Sequence, residues 1–166
     1  MPEDEQPGGA PPAMVSVPQP EPRCGFDPNA GIGAGSTIVQ AAGLGNLAAM
    51  RLLLNVSIDA ALAKGNDEPH AIVAAAEALT FARLCAAHRV PMDVRTLAGA
   101  LCLTSDRTRH LGLNDAADNL LGESVAILEQ LADEGDEIAA LASGQLVAAH
   151  PATAEIAKLV LSGTEK

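Results

Sequence analysis

At 166 residues with 48% hydrophobic content, the chain holds enough apolar side chain for one domain with a real core, so a single folded unit is the starting expectation. Aromatics are 1% of it, Phe26 and Phe81, with no Trp or Tyr, so the core must be built from Ala, Leu, Val and Ile, which favours close helix packing over a sheet of β-branched and aromatic residues. A net charge of −11 argues against binding nucleic acid or an anionic membrane, which needs concentrated positive surface, and points instead to a neutral or basic partner.

Eight of the eleven prolines (Pro2, Pro7, Pro11, Pro12, Pro18, Pro20, Pro22 and Pro28) come before residue 30, which predicts a disordered Pro/Gly-rich arm over 1–35 and a helical domain over 36–166. Within the arm, Val17 to Arg23 (VPQPEPR) reads as a tether, with a polyproline-type ligand as the alternative. The acidic start MPEDEQPGGA lacks the basic and apolar regions of a signal peptide, and no apolar run approaches the roughly 20 residues of a membrane span. Cys24, Cys85 and Cys102 are an odd set in such a chain and read as reduced structural thiols; the expected compartment is the cytoplasm.

The segment Gly31 to Thr37, GIGAGST, invites a phosphate-loop reading, but no strand precedes it and the required Lys is missing. A hinge ending in a Ser36 or Thr37 N-cap explains the same residues. Helices are then predicted in order. A short one spans about 37–43. A longer one spans about 46–63, with Leu47, Met50, Leu54, Ile58 and Ala61 on one face, and Gly65 ends it. The third follows Asp67 with Pro69 in its first turn, carries Ile72, Ala76, Leu79 and Leu84 inward, and ends near His88 because Pro91 disfavours helical geometry at Val90. Asp93 is expected to cap the fourth, whose Val94, Leu97, Ala98, Leu101 and Cys102 recur at helical spacing up to Gly112. Asn114 opens the fifth, with Ala117, Leu120, Leu121, Ser124, Leu128 and Leu131 facing inward as far as Gly135. Asp136 caps the sixth, and Pro151 starts a seventh that ends at Gly163.

The starts near 46, 93 and 136 recur at roughly 45 residues, a helical-hairpin repeat length. The predicted fold is therefore all-α: a short α-solenoid of antiparallel helical hairpins, about six to seven helices, whose first and last helices act as caps. Residues 94–148 resemble the long tetratricopeptide type at Leu97, Ala98, Leu101, Leu111, Gly112, Ala116 and Ala117, without that family's aromatics. Gly135-Asp136-Glu137-Ile138-Ala139 and Gly45-Asn46-Leu47-Ala48-Ala49 look like the start of sel-like repeats. Residues 36–59 are similar to a single ankyrin repeat at Ala41, Ala42, Gly45, Leu47, Leu53, Leu54 and Asp59, but that signature does not recur. These resemblances imply protein binding rather than catalysis.

Three features of the sequence could carry chemistry or binding. Cys85 and His88 share one helix face, and Cys102 and His110 lie on the next helix, but zinc needs four converging ligands and no second close pair exists, so core thiols and helix-end histidines are the simpler account. No G-x-S-x-G or other nucleophile motif is present, and the paired acids Asp133-Glu134 and Asp136-Glu137 flank a turn. Charge, however, is segregated: Arg83, Arg89, Arg95, Arg107 and Arg109 lie in the middle helices, while no Lys or Arg occurs from His110 to Ala157. Asp133, Glu134, Asp136 and Glu137, with Arg95, Arg107 and Arg109, are thus the candidate partner-binding residues; solvated faces that keep the protein soluble are the plainer reading. The expected function is a bacterial-type, non-catalytic adaptor that binds a protein or peptide, with no cofactor, metal or small-molecule substrate. The alternative is a structural subunit of a multimeric assembly, for instance a phage-like one, that self-associates through its arm. An enzyme whose groups converge from distant helices is a third reading.

Overall fold

The computed structural model describes residues 34–63, 69–148 and 153–162, all of which lie in helices or in the short turns between them. The chain separates into Met1–Ile32, which lies outside the described residues along with the polyproline segment and Cys24, and Gly33–Lys166. The described residues form seven helices: α1 (Ala34–Gly43), α2 (Leu47–Ala63), α3 (Pro69–Ala86), α4 (Pro91–His110), α5 (Asn114–Asp133), α6 (Glu137–Ala148) and α7 (Thr153–Ser162). No single one is long and apolar enough to cross a membrane. Gly65, Pro151 and Gly163, expected at helix ends, fall outside the described residues.

The all-α expectation holds, and the helices pack as neighbours in sequence: α2 on α3, α3 on α4, α4 on α5, α5 on α6 and α6 on α7, with α1 against α2. Hydrogen bonds give their directions. Ser105 donates to the carbonyl of Ala117 and Ser124 to that of Ala98, so α5 runs back along α4 as an antiparallel hairpin. Between hairpins, Arg51 reaches Asp93 near the start of α4 while Arg107 reaches the Ala61 carbonyl near the end of α2, so α2 and α4 run parallel. The last helix departs from strict succession, because α7 also packs on α4.

That return is possible because α4 carries Gly99 on its contact side. A Cβ there would sit 2.9 Å from Leu161 and 3.2 Å from Val160, so the two helices approach more closely than any side chain would allow. Six consecutive residues of α4, Ala98 to Leu103, are buried; at 100° per residue they cover its whole circumference. Two apolar clusters share this helix. Met50, Leu54 and Ile58 of α2 and the alanines of α3 pack around Ala100 and Leu103; Leu128, Leu131, Ala139, Ile156 and Val160 pack around Ala98.

Some predicted details change. Residues 36 and 37 lie inside α1, which begins at Ala34, so neither is its cap. Asp93 does not cap α4: Val90 is the N-cap and Pro91, which has no N–H to satisfy, opens the helix, leaving Asp93 inside the first turn and turned toward Arg51. The inward face of α3 is Ala71, Ala74, Ala75, Ala78, Ala82 and Cys85, with Ile72 and Leu79 half-buried and Ala76 and Leu84 exposed. Alanine takes the inside because it brings neighbouring backbones closest, and the larger chains spread to the flanks.

Three turns share one geometry. Gly45, Gly112 and Gly135 have φ of +86°, +78° and +96°, and the amide after each bonds back to a carbonyl of the preceding helix: Asn46 to Ala41, Leu113 to Thr108 and Asp136 to Leu131. The turn into α4 puts Arg89 at the equivalent place, with φ of +57°. A side chain there crowds its own carbonyl. Replacing Arg89 with Gly should therefore raise stability by about 0.5–1 kcal/mol in urea unfolding, the relief of left-handed strain exceeding the added chain entropy.

Candidate protein-interaction surface

The seven residues singled out by charge separate into two groups, one structural and one exposed. Asp136 accepts the amides of Ile138 and Ala139 at 3.0 Å through Oδ1, capping α6, and its carboxylate also receives Arg95 Nη1 at 3.0 and 3.3 Å. Asp93 receives Arg51 Nε at 2.9 Å and Nη2 at 2.7 Å as a bidentate pair. The two pairs are rungs of one ladder. Arg51 and Asp93 are 42 residues apart and Arg95 and Asp136 are 41, and each joins the first helix of one hairpin to the start of the next. Arg51 lies five residues after the cap Asn46, and Arg95 five after the cap Val90.

Arg107 is sequestered, with 3% of its side chain exposed; Nη2 donates to the Ala61 carbonyl at 2.8 Å, where the last turn of α2 presents unpaired carbonyls, and Nη1 lies 3.8 Å from Asp106. Arg109 bonds Asp118 at 2.6 Å across the α4–α5 turn. Asp133, Glu134 and Glu137 are exposed around the α5–α6 turn, and Glu134 accepts Gln130 Nε2 at 3.0 Å. The fold thus brings together three of the four acids as an open surface and takes Asp136, Arg95 and Arg107 into its own framework. Spacing alone did not reveal that division; the coincidence of an Arg five residues after one helix cap and an Asp at the next helix start was the available signal.

The thiols are internal. Cys102 lies 3.1 Å from Ser124 Oγ, and because that hydroxyl gives its proton to the Ala98 carbonyl at 2.9 Å, the thiol is the donor. Burial pushes the Cys102 thiol up, and burial with the nearby Asp93 carboxylate pushes up Cys85, opposed in part by Arg51. Neither is poised as a nucleophile. The Asp93 bond likewise raises the Arg51 guanidinium, which stays charged. Among the described residues no group of three or more His, Cys, Asp or Glu could hold a metal ion; His88 is exposed and His110 Nδ1 lies 2.8 Å from the Asp106 carbonyl.

Two surface features combine exposed apolar and polar groups. A cleft of about 380 Å³ opens where α2, α4 and α7 meet, lined by Asn55, Asp59 and Leu62, by Thr96, and by Lys158 and Ser162. Thr96 and Ser162 donate their protons to carbonyls of their own helices, and Lys158 holds Glu155 at 2.7 Å, so Asn55 and Asp59 are the polar groups most available to an incoming chain. The second is the outer side of α6, where Leu141 and Val147 are 53% and 72% exposed beside the acidic turn.

The rungs predict an asymmetry. Asp93 is 5% exposed and Arg51 43%, so removing Arg51 strands a buried carboxylate while removing the carboxylate leaves an arginine that water can reach. Arg51→Ala should cost about 2–4 kcal/mol and Asp93→Asn about 1–2 kcal/mol in urea unfolding. The raised Cys85 thiol sets a pH dependence. Its folded value lies above the 9.0 of the free group, so its contribution to stability is complete below pH 9 and declines as pH rises past it. Stability measured from pH 8 to about 10.5 should fall less in Cys85→Ala than in the parent chain, although the variant starts lower because a buried atom is lost.

Compared with protein-family models, with curated proteins and with solved structures, the chain matches none, and the functional reading rests on this geometry.

Proposed function

We propose that the protein is a non-catalytic adaptor, similar in kind to tetratricopeptide and sel-like proteins, whose helical stack binds an extended or helical segment of another protein. The observation that carries this reading is the α2–α4–α7 cleft. Parallel helices of successive hairpins and the returning α7 build it together, and it offers apolar walls from Ile58, Leu62 and Leu161 with a few polar groups between them. A side chain of a bound segment would fill such a cleft, with the Asn55 amide and the Asp59 carboxylate fixing its orientation and selecting basic or amide groups. The thiols, hydroxyls and buried carboxylates are committed to the helical framework, which fits a binding role better than a reacting one.

The reading is tested by affinity capture from cell extract with the immobilised full chain. A specific polypeptide should be retained by the parent chain and lost, by about tenfold or more, from an Asn55→Arg, Asp59→Lys variant whose thermal unfolding is unchanged. Retention of the same polypeptide by that variant would remove the cleft from the binding site, and no retention of any specific polypeptide would remove the adaptor.

A further inference from the structure

Helix α6 is apolar on nearly every side, yet it is packed on only one. Ala139, Ala142 and Ser143 face α5 and α7, whereas Ala140, Leu141, Gly144 and Val147 are exposed and fall at the three- and four-residue spacings that place them on a single stripe. A helix that is hydrophobic all round is ordinarily buried all round. The ladder shows what is missing. The position five residues after the helix cap holds the rung arginine on α2 and on α4, pointing at the next hairpin; on α6 it is Leu141, turned to solvent. The apolar stripe therefore lies on the side where a further helix would stack.

The surrounding charge identifies the kind of helix. Glu137 begins the stripe, Asp133 and Glu134 lie at the α5–α6 turn that leads into it, and Glu129 is exposed one turn earlier on α5. Among the described residues none of these four takes part in an ion pair, in contrast to Asp118, Glu123, Asp136 and Glu155, each of which is held by an Arg or Lys. A second copy would be a poor occupant. The chain carries −11 in total, and two α6 faces meeting on a two-fold axis would bring uncompensated acids toward each other.

We propose that the outer face of α6 docks a basic amphipathic helix from a partner protein, its apolar side on Leu141, Gly144 and Val147 and its Lys or Arg residues against Asp133, Glu134 and Glu137. This rests on the protein-binding reading and adds a second surface to it, separate from the cleft. Gly144 and Ala140 let the incoming backbone come close, and the carboxylates steer and orient it.

The test uses the full chain and a labelled peptide of Leu and Lys in amphipathic helical spacing, with a counterpart in which every Lys is Glu, followed by fluorescence anisotropy at low salt. The Lys peptide should bind and the Glu peptide should not. Leu141→Arg with Val147→Arg, and separately Glu134→Lys with Glu137→Lys, should each weaken binding by about tenfold or more, while the charge-matched control Glu77→Lys with Asp115→Lys should change it by less than about threefold. Equal weakening by the control pair would reduce the effect to net charge and overturn the proposal, as would unchanged binding by the Leu141, Val147 variant. A dimer in sedimentation that the same variant dissolves would give the face to a second copy and also overturn it. The two readings fail separately: peptide binding that ignores α6, alongside cleft-dependent capture of a polypeptide, would sink the α6 dock and leave the adaptor standing.

Discussion

The most enclosed helix of this protein is also one of its most charged, and the stack is organised around that fact. Helix α4 is buried on its whole circumference in the middle, yet its buried residues include Asp93, Asp106 and Arg107. A charge taken from water costs several kcal/mol unless a partner is in place, so each of these groups dictates what its neighbours must present. Asp93 requires Arg51 of α2, and Arg107 requires the open carbonyls at the end of α2. With both ends of α2 tied to both ends of α4, a slip of one helical turn between the hairpins would leave buried charges without partners. The ionic contacts thereby set register, while the alanine and leucine contacts, which are tolerant of sliding, supply most of the favourable free energy.

The same logic continues one hairpin further and then stops. Arg95 takes Asp136, which at once caps α6 and fixes it beside α4. On α6 there is no arginine to extend the ladder and no fourth hairpin in the described residues to receive it. Instead α7 turns back and fits onto Gly99 of α4, closing the apolar clusters that an open end would leave wet. Closure covers the inner side of α6 and not the outer one, so the end of the stack keeps an apolar stripe with acids along its edge.

This arrangement separates the polar residues by role. Hydroxyls inside the stack donate to backbone carbonyls of neighbouring helices, as Ser105, Ser124 and Thr104 do, and the Cys102 thiol donates to Ser124, so helices of small residues sit close with these groups bonded. Among the groups left to solvent are the carboxylates around the α5–α6 turn and the amide and carboxylate of Asn55 and Asp59. At both places negative charge stands beside modest apolar ground, the combination on which the proposal of a basic, partly apolar partner segment rests.

Much of the fold was legible in the sequence because its signals are local. Pro69 marks a helix start and Pro91 the end of the helix before it through fixed φ, Gly45, Gly112 and Gly135 mark turns through left-handed backbone, and the spacing of Met50, Leu54, Ile58 and Ala61 marks a buried face, all within a few residues of one another. The candidate site was legible only as a charge imbalance. Whether Arg107 lies inside or outside, whether Asp93 caps its own helix or pairs with another, and which side of α3 is the inner one depend on groups brought from about forty residues away, and a chain whose residues are largely small and apolar on several faces carries no periodicity strong enough to decide them. Composition and local punctuation determined that this chain forms helices and where they turn; only the tertiary structure decided which charges became framework and which stayed at the surface, because burial and pairing are properties of helices packed together.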